Sequence, residues 1–394
     1  MKILSVNAGS SSLKFKMYEM PEEKTLISGY IERIGIGGTF WTIKINGEKI
    51  RKERELSNHE EAVQVLVDEL FENKVIESLD EIKGIGHRIV HGGSDFTTST
   101  VLSAEDVDKV EALSSLAPLH NPAHVLGIRA FNKIIPGAVA VGVFDTAFHQ
   151  TMSEEAYLYS VPYEWYTEYG IRKYGFHGTS HKFITETMKE KLGKENVNLI
   201  ICHIGNGGSL SSIVDGKCAD TTMGFTPNAG IMMGARCGDV DYSFIPYLME
   251  KTGMTIKEVD NALNKQSGLL GISGIGSDHR DVEAGMAEGN ERAILADKMY
   301  VNRVVDYIAK YYMRYTNLDG IVFTAGVGEN APGFRKEVIE GLKAINVKLD
   351  EEANETIRFG KEGIISTEDS DVTVYVVPTD EEVMIARDTY NFAK

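Results

Sequence analysis

The sequence predicts an α/β protein built from two related halves, and three observations carry that expectation. Strand-like and helix-like segments alternate along most of the chain. A strand, small polar turn, strand motif at the N-terminus returns about 200 residues later. The length, 394 residues, suits two or three domains at ~150 residues each.

Each element has its own signal. Lys2–Val6 is apolar and leads through Asn7-Ala8-Gly9-Ser10 into a second β-like run, Leu13–Tyr18. Ser57 with Glu60 has the form of a capping box, and Val63, Leu66, Val67 and Leu70 share one helical face. Ile82–Val90 reads as a strand ending in His91-Gly92-Gly93. Ser103 with Asp106 opens one helix and Asn121-Pro122 another. Ala138–Phe144 is an uninterrupted apolar strand of the kind buried on both faces, and it ends at Asp145. After the polar, aromatic stretch Thr151–Tyr174, the strands Asn198–Ile204 and Leu210–Val214 flank Gly205-Asn206-Gly207-Gly208-Ser209. Asp215-Gly216 then signals a hairpin. A third glycine turn, Ala325–Asn330, follows the strand Gly320–Phe323 and is expected to lead into a helix. The last strand, Val372–Val377, stops at Pro378, and Thr379-Asp380-Glu381-Glu382 opens the C-terminal helix.

Composition narrows the function. With 58 acidic against 41 basic side chains the net charge is −17, which argues against non-specific nucleic-acid binding. A site for an anionic substrate must then be made locally, from Arg, Lys, backbone amides or a metal. Cys202, Cys218 and Cys237 form neither a CxxC nor a zinc spacing, so a cytoplasmic location is expected. The N-terminal apolar run is too short for a secretion signal, and no stretch nears the ~20 apolar residues of a membrane helix, so no membrane partner is expected.

Three turns rich in small residues, each following a strand, point to phosphate binding, because small residues let backbone N–H groups approach phosphate oxygens. Lys14 lies beside the first turn. None spells GxxxxGK[ST] or GxGxxG, which argues against a Walker-type ATPase and a Rossmann dehydrogenase. Ser11-Ser12-Leu13-Lys14 and Lys251-Thr252-Gly253 imitate two elements of penicillin-recognising acyl transferases. No S-D-N lies between them and no GxSxG elbow exists, so acyl-serine chemistry is set aside.

Longer blocks say more. Val6–Lys14, Gly86–Gly93, Phe144–His149, Tyr174–His181, His203–Gly207, Met233–Asp239 and Gly326–Asn330 stand in an order and spacing that resemble the acetate kinase family. The resemblance runs from residue 1 to the C-terminal helix. It implies two duplicated ribonuclease H-like domains of the actin-like ATPase superfamily with a nucleotide cleft between them. The domains would cover 1–147 plus about 382–394, and 148–381. The implied reaction is reversible, direct in-line transfer of the ATP γ-phosphoryl group to acetate, giving acetyl phosphate and ADP. Mg²⁺ is the expected metal, Mn²⁺ an alternative, and relatives are homodimers. Hinges would lie near Ala147–Gln150 and Thr379–Glu382, with closure excluding water.

The site residues follow from the same blocks. A metaphosphate-like transition state is stabilised by positioning and charge, and guanidinium forks suit carboxylate and phosphoryl oxygens. By resemblance Arg88 holds the acetate carboxylate, Arg236 the transferring group, and His177 hydrogen-bonds that group. Asp145 completes the candidate catalytic set. Acetate, with a carboxyl pKa near ~4–5, is already ionised at neutral pH, so Asp145 is expected to orient Arg or metal-bound water rather than act as a base. Asn7 and Glu381 would hold the metal. Val90, Leu119, Phe176 and Pro227 would line a methyl-sized pocket. Lys14, His203, Ile204, Gly205, Asn206, Gly207, Asp278, His279, Arg280, Gly326, Val327, Gly328, Glu329 and Asn330 would bind the nucleotide. His59, His87, His149 and His181 read as structural, while His120 and His124 beside Pro122 are weaker candidates for lining the cleft.

Three departures from the family pattern stand out. Asp380 replaces the usual Asn and is expected to face solvent. His279 replaces a Phe or Met that touches adenine, which opens the choice between ATP and GTP or ITP. Thr226-Pro227-Asn228-Ala229-Gly230 lacks the usual Leu-Glu before the glycine. Rival readings are a propionate or butyrate kinase, which needs a deeper pocket, and a non-catalytic nucleotide switch, which would not need Arg88, Arg236 and His177.

Overall fold

Alternating apolar residues draw Lys2–Gly9 (β1) and Ser12–Glu19 (β2) into an antiparallel hairpin, with Asn7 opposite Lys14. The computed structural model describes residues 1–394. Lys24–Glu32 (β3), Phe40–Ile45 (β4) and Glu48–Glu53 (β5) extend the hairpin antiparallel on one side. On the other side Ile82–Ile89 (β6) runs parallel to β1, Val139–Phe144 (β8) runs parallel to β6, and the short Thr100–Val101 (β7) pairs antiparallel with β8. The helices His59–Glu72 (α1) and Asn121–Ile134 (α2) pack Ala62, Leu66, Leu70 and Phe131 against Leu4, Val6, Leu13 and Phe15 on one face. On the other face the C-terminal helix, Glu381–Ala393, lies over β1, β6 and β8. Gly86 permits this approach, since a Cβ there would collide with Thr389 and Ile385.

Leu199–Ile204 (β9), Gly208–Val214 (β10), Lys217–Thr221 (β11), Gly320–Thr324 (β12), Gly363–Ile364 (β13) and Val374–Val376 (β14) form a second sheet. Its order, β11-β10-β9-β12-β14-β13, repeats β3-β2-β1-β6-β8-β7 of the first, with the same parallel and antiparallel pairings. The recurrence legible in the sequence is therefore a topological duplication with the ribonuclease H-like strand order. Every residue of β9 and β12 is buried. Gly178–Leu192 (α3), His279–Ala287 (α4), Glu291–Tyr312 (α5) and Ala325–Asn330 (α6) belong with this sheet, and α5 packs Ala296, Tyr300, Val304 and Ile308 into the core beside Ile200, Ile321 and Phe323. No helix is long and apolar enough to cross a membrane.

Several boundaries move from their expected places. The cap of α1 is Asn58, whose side chain accepts from the Glu61 N–H, while the Glu61 carboxylate turns back to the Ser57 N–H. The stretch Ala325–Asn330 is itself a short helix, because its turn falls at Ala325, φ 65°, and the Glu329 carboxylate accepts from the Ala325 N–H. Lys251-Thr252-Gly253 is the end of a helix, with Gly253 in the left-handed conformation. The chain divides into Met1–Gln150 with Asp380–Lys394, and Thr151–Thr379. Asp380 and Glu381 thus go with the first unit, since Asp380 caps the C-terminal helix through the Val383 N–H at 3.0 Å.

The first unit buries His87, His91 and His124. Loss of hydration pushes their pKa values down to about 3, about 4 and about 3, with the neighbouring His124 adding to the shift at His87 and Arg88 and His120 adding to that at His124. Folded, they stay neutral; unfolded, each takes up a proton below ~6.5. Their contribution to stability is complete above that pH and is lost as the pH falls toward about 4, at about 1.4 kcal/mol per pH unit for each. Urea midpoints should fall between pH 7 and 5. His87→Phe, beside Phe131, should reduce the slope by about one proton. An unchanged slope in that variant would contradict this account.

Candidate active site

In the first unit the charged groups emerge where buried strands end. Ile89 of β6 lies opposite Phe144 of β8, so Arg88 and Asp145 meet at the same edge. The guanidinium donates from Nε to Oδ1 at 3.1 Å and from Nη2 to Oδ2 at 2.7 Å, a bidentate fork. Asp145 is buried and its own N–H donates to the Ile89 carbonyl. The Asp145 charge keeps Arg88 protonated against the cost of burial.

Asn7, Lys14, Arg88 and Glu381 line one pocket of about 30 Å³, about the share of one water or ion. Burial pushes the Glu381 carboxyl up to about 7; Arg88 opposes that rise, and Asp145, Glu382 and Asp380 add to it. A carboxylate crowded by others beside an amide oxygen suits a hard divalent cation. No group of three or more His, Cys, Asp or Glu is arranged to hold a metal, so such a cation would take its remaining oxygens from phosphate and water. Asp380 does not line this pocket; its side chain is 35% exposed but engaged. Besides capping the helix it accepts from Lys16 Nζ at 3.2 Å and Tyr18 Oη at 3.4 Å.

In the second unit the hairpin of β9 and β10 closes through the Gly205 N–H and Gly207 carbonyl at 2.9 Å. His177, at the start of α3, adopts the left-handed conformation with φ 57°, strain of the kind found where a side chain is held for a purpose. Its Nδ1 hydrogen-bonds Ser209 Oγ at 2.9 Å, and Ser209 also meets His181 Nε2. His177 stacks on His203 at 4.2 Å, and Ser180 ties His203 Nδ1 to Thr379. A Cβ built on Gly207 would sit 3.6 Å from His177 Cε1 and Nε2 and 3.4 Å from Arg236 Nη1. His177 and Arg236 therefore converge on a residue with no side chain. Arg236 donates to the Pro227 carbonyl at 3.0 Å and has no carboxylate within ion-pair distance. Burial lowers its pKa, yet a guanidinium stays charged.

A larger pocket of about 650 Å³ gathers Gly205, Asn206, Asp278, His279, Arg280, Gly326, Val327 and Asn330. The acetokinase family profile matches residues 2–387. The chain belongs to the acetokinase family. The acetate kinase of Geobacillus sp. (strain WCH70) is 53% identical over 394 residues, 100% of this chain and 99% of that one. Among solved structures, Porphyromonas gingivalis acetate kinase has a TM-score of 0.95 at 44% identity, covering 100% of both chains. A propionate kinase from Francisella tularensis subsp. tularensis SCHU S4 has a TM-score of 0.93 at 41% identity, covering 99% of both. As a member of this family the protein is a kinase, and ATP and a divalent metal ion are what the family uses.

Within this acetokinase chain, not every expected nucleotide residue lines the larger pocket. Ile204 is in the core, and His203 supports His177 by stacking. Gly207 lies by Arg236, and the Gly328 carbonyl accepts from buried Arg335. Glu329 binds the N–H groups of Ala325 and Thr379. Lys14 belongs to the first unit, paired with Asn7. His279 is buried against Tyr300 and Phe334, with Nε2 at 2.8 Å from Asp297 Oδ1. Of the four expected methyl-pocket residues, Val90 and Phe176 are buried, Pro227 is half-buried, and Leu119 is 66% exposed.

Sequence reasoning missed Leu269, Ser277, Glu283, Ala331 and Phe359, which also line the larger pocket. Phe359 is 79% exposed and left-handed at φ 56°, with its N–H held by Asn330 Oδ1 at 2.8 Å. With the Arg358 guanidinium on one side at 5.3 Å, the exposed ring at the pocket lining on a left-handed backbone is placed to stack on a flat ligand. Phe359→Ala should raise the KM for nucleotide about 3- to 10-fold with kcat kept, and Phe359→Trp should restore it. Equal KM values in wild type and the alanine variant would exclude such a role.

Proposed function

We propose that this acetokinase transfers the γ-phosphoryl group of ATP to the carboxylate of acetate, reversibly and by direct in-line displacement. The observation that carries the reading is the convergence of His177 and Arg236 on Gly207, beside a hairpin turn that also lines the larger pocket. Arg236 lacks an acidic partner, so its unpaired N–H donors are available to the equatorial oxygens of a transferring phosphoryl group. His177, its Nδ1 engaged by Ser209, turns the Cε1–Nε2 edge of its ring toward Gly207 and the same group. The larger pocket holds the nucleoside, with His279 fixed by Asp297 as part of its wall.

Arg88 binds the acetate carboxylate, and Asp145 aims the guanidinium through the bidentate fork. Because acetate needs no deprotonation, Asp145 is a positioning residue. By the family resemblance Val90, Leu119, Phe176 and Pro227 would face the methyl group, and a longer acyl chain would be disfavoured by ~1–3 kcal/mol per methylene. Asn7 and Glu381, which line one pocket, would hold Mg²⁺, and the ion would supply positive charge against the phosphate oxygens. The exposed rings of Tyr163, Trp165, Tyr169, Tyr242 and Tyr247 on the second unit support a homodimer. Three free thiols support a cytoplasmic location.

Hydroxylamine trapping of the acyl phosphate tests the reading. With ATP and Mg²⁺, acetate should give hydroxamate faster than propionate, and propionate faster than butyrate. Arg236→Ala should lower kcat by about 10³-fold or more. Faster trapping with propionate would move the protein to the chemistry named for the Francisella relative. No product with any acid would leave only nucleotide binding.

Asp145→Asn separates aiming from base catalysis. The KM for acetate should rise about tenfold or more, as one fork partner loses its charge, and the acidic limb of the pH–rate profile should remain. Loss of that limb would mean that Asp145 moves a proton.

A further inference from the structure

The first sheet is wider than the duplication requires. β4 and β5 have no counterpart in the second sheet. The C-terminal helix covers β1, β6 and β8 on one face and meets β2 at Lys16 and Tyr18 through Asp380, which leaves that same face of β3–β5 beyond its contacts. Register shows what stands there. One row runs Asn7, Lys14, Tyr30, Thr42, Arg51 across the sheet, and the next runs Ser5, Lys16, Ser28, Lys44, Lys49. Four lysines, 14, 16, 44 and 49, thus line one groove of about 570 Å³ in a chain of net charge −17.

The pairing within the groove is unusual. Lys44 stands directly opposite Lys49, an arrangement that costs stability on a sheet. Neither has a carboxylate within ion-pair distance, and nor does Lys14; single lysines elsewhere are also unpaired, and what marks this place is three such ammonium groups, with Lys16, in one groove. The acidic groups at the groove are few. Asp380 pairs with Lys16, Glu382 lines one end, and Glu32 and Glu53 stand in the next row at the rim, Glu53 paired with Arg51. Edge-strand protection accounts for Lys49 on β5, but not for Lys14 and Lys44, which lie on inner strands. Tyr30, Thr42 and Ser28 supply hydroxyl donors between the ammonium groups. From β2 to β5 the groove spans three strand spacings, about 14 Å. That length suits several linked anionic centres better than one.

We propose that this groove is a second anion site, distinct from the pocket of Arg88 and Glu381, and that it takes a linear oligophosphate. Lys14 and Glu382 line both pockets, so an occupant of the groove touches the edge of the first unit's site. Titration calorimetry of tripolyphosphate into the full-length protein tests this, in metal-free buffer with saturating ADP filling the nucleotide pocket. Wild type should bind one tripolyphosphate per chain, more weakly as salt is raised. Lys44→Gln with Lys49→Gln should weaken binding at least tenfold while leaving kcat and both KM values unchanged without the anion. Lys49→Gln alone should give an intermediate loss. Binding that vanishes when ADP is present, or that is equal in wild type and the double variant, would overturn the proposal.

Discussion

Burial of both faces of the central strands is the constraint on which the remaining structure depends. β9 and β12 have no exposed residue, and β8 has one partly buried residue, at its start. Unpaired charge in such strands would cost several kcal/mol, so polar chemistry is confined to the places where strands end. Asn7, Arg88 and Asp145 stand at ends in the first sheet, and Gly205–Gly207 and the segment after β12 at ends in the second. The same topology applied twice makes the same kind of edge twice.

The two edges are nevertheless opposite in their electrostatics. Arg88 is matched by Asp145 and shares its pocket with Glu381, so that edge suits a small anion bound together with a cation. Arg236 meets only a carbonyl and a methionine sulfur, and its charge is left for a ligand. A guanidinium fixed before the ligand arrives needs no reorganisation when charge develops, which is how preorganised groups lower a barrier. The supports are local in each case: one carboxylate fork in the first unit, and the Ser209, His203 and Ser180 chain in the second.

Duplication does not extend to the margins. The first sheet gains β4 and β5, and with them a face that carries lysines where the second sheet ends at β11. The second unit instead gains the segment around Phe359, tied through Asn330, while Arg335 binds the carbonyls of Gly328, Glu329, Asn354 and Ile357. Five acceptors, counting Asn354 Oδ1, on one buried guanidinium hold α6 and that segment together without a carboxylate.

The sequence by itself determined the elements, the repeat and the residue types of the candidate site, because these rest on local patterns. Apolar runs gave β1, β6, β8, β9 and β12, and small polar turns gave the hairpins. Tertiary structure alone decided which of those residues meet. The Asp145 partner lies 57 positions away in the chain, and only parallel pairing of β6 with β8 brings it to Arg88. His203, expected at the nucleotide, stacks on His177 and bonds Ser180, a neighbour in space that is remote in sequence. His279 found Asp297 through the packing of α4 on α5, and Phe359 reached the larger pocket through Asn330. Periodicity reports how one segment meets water. Which segments then face each other is fixed by strand order and helix packing, and these depend on the whole chain.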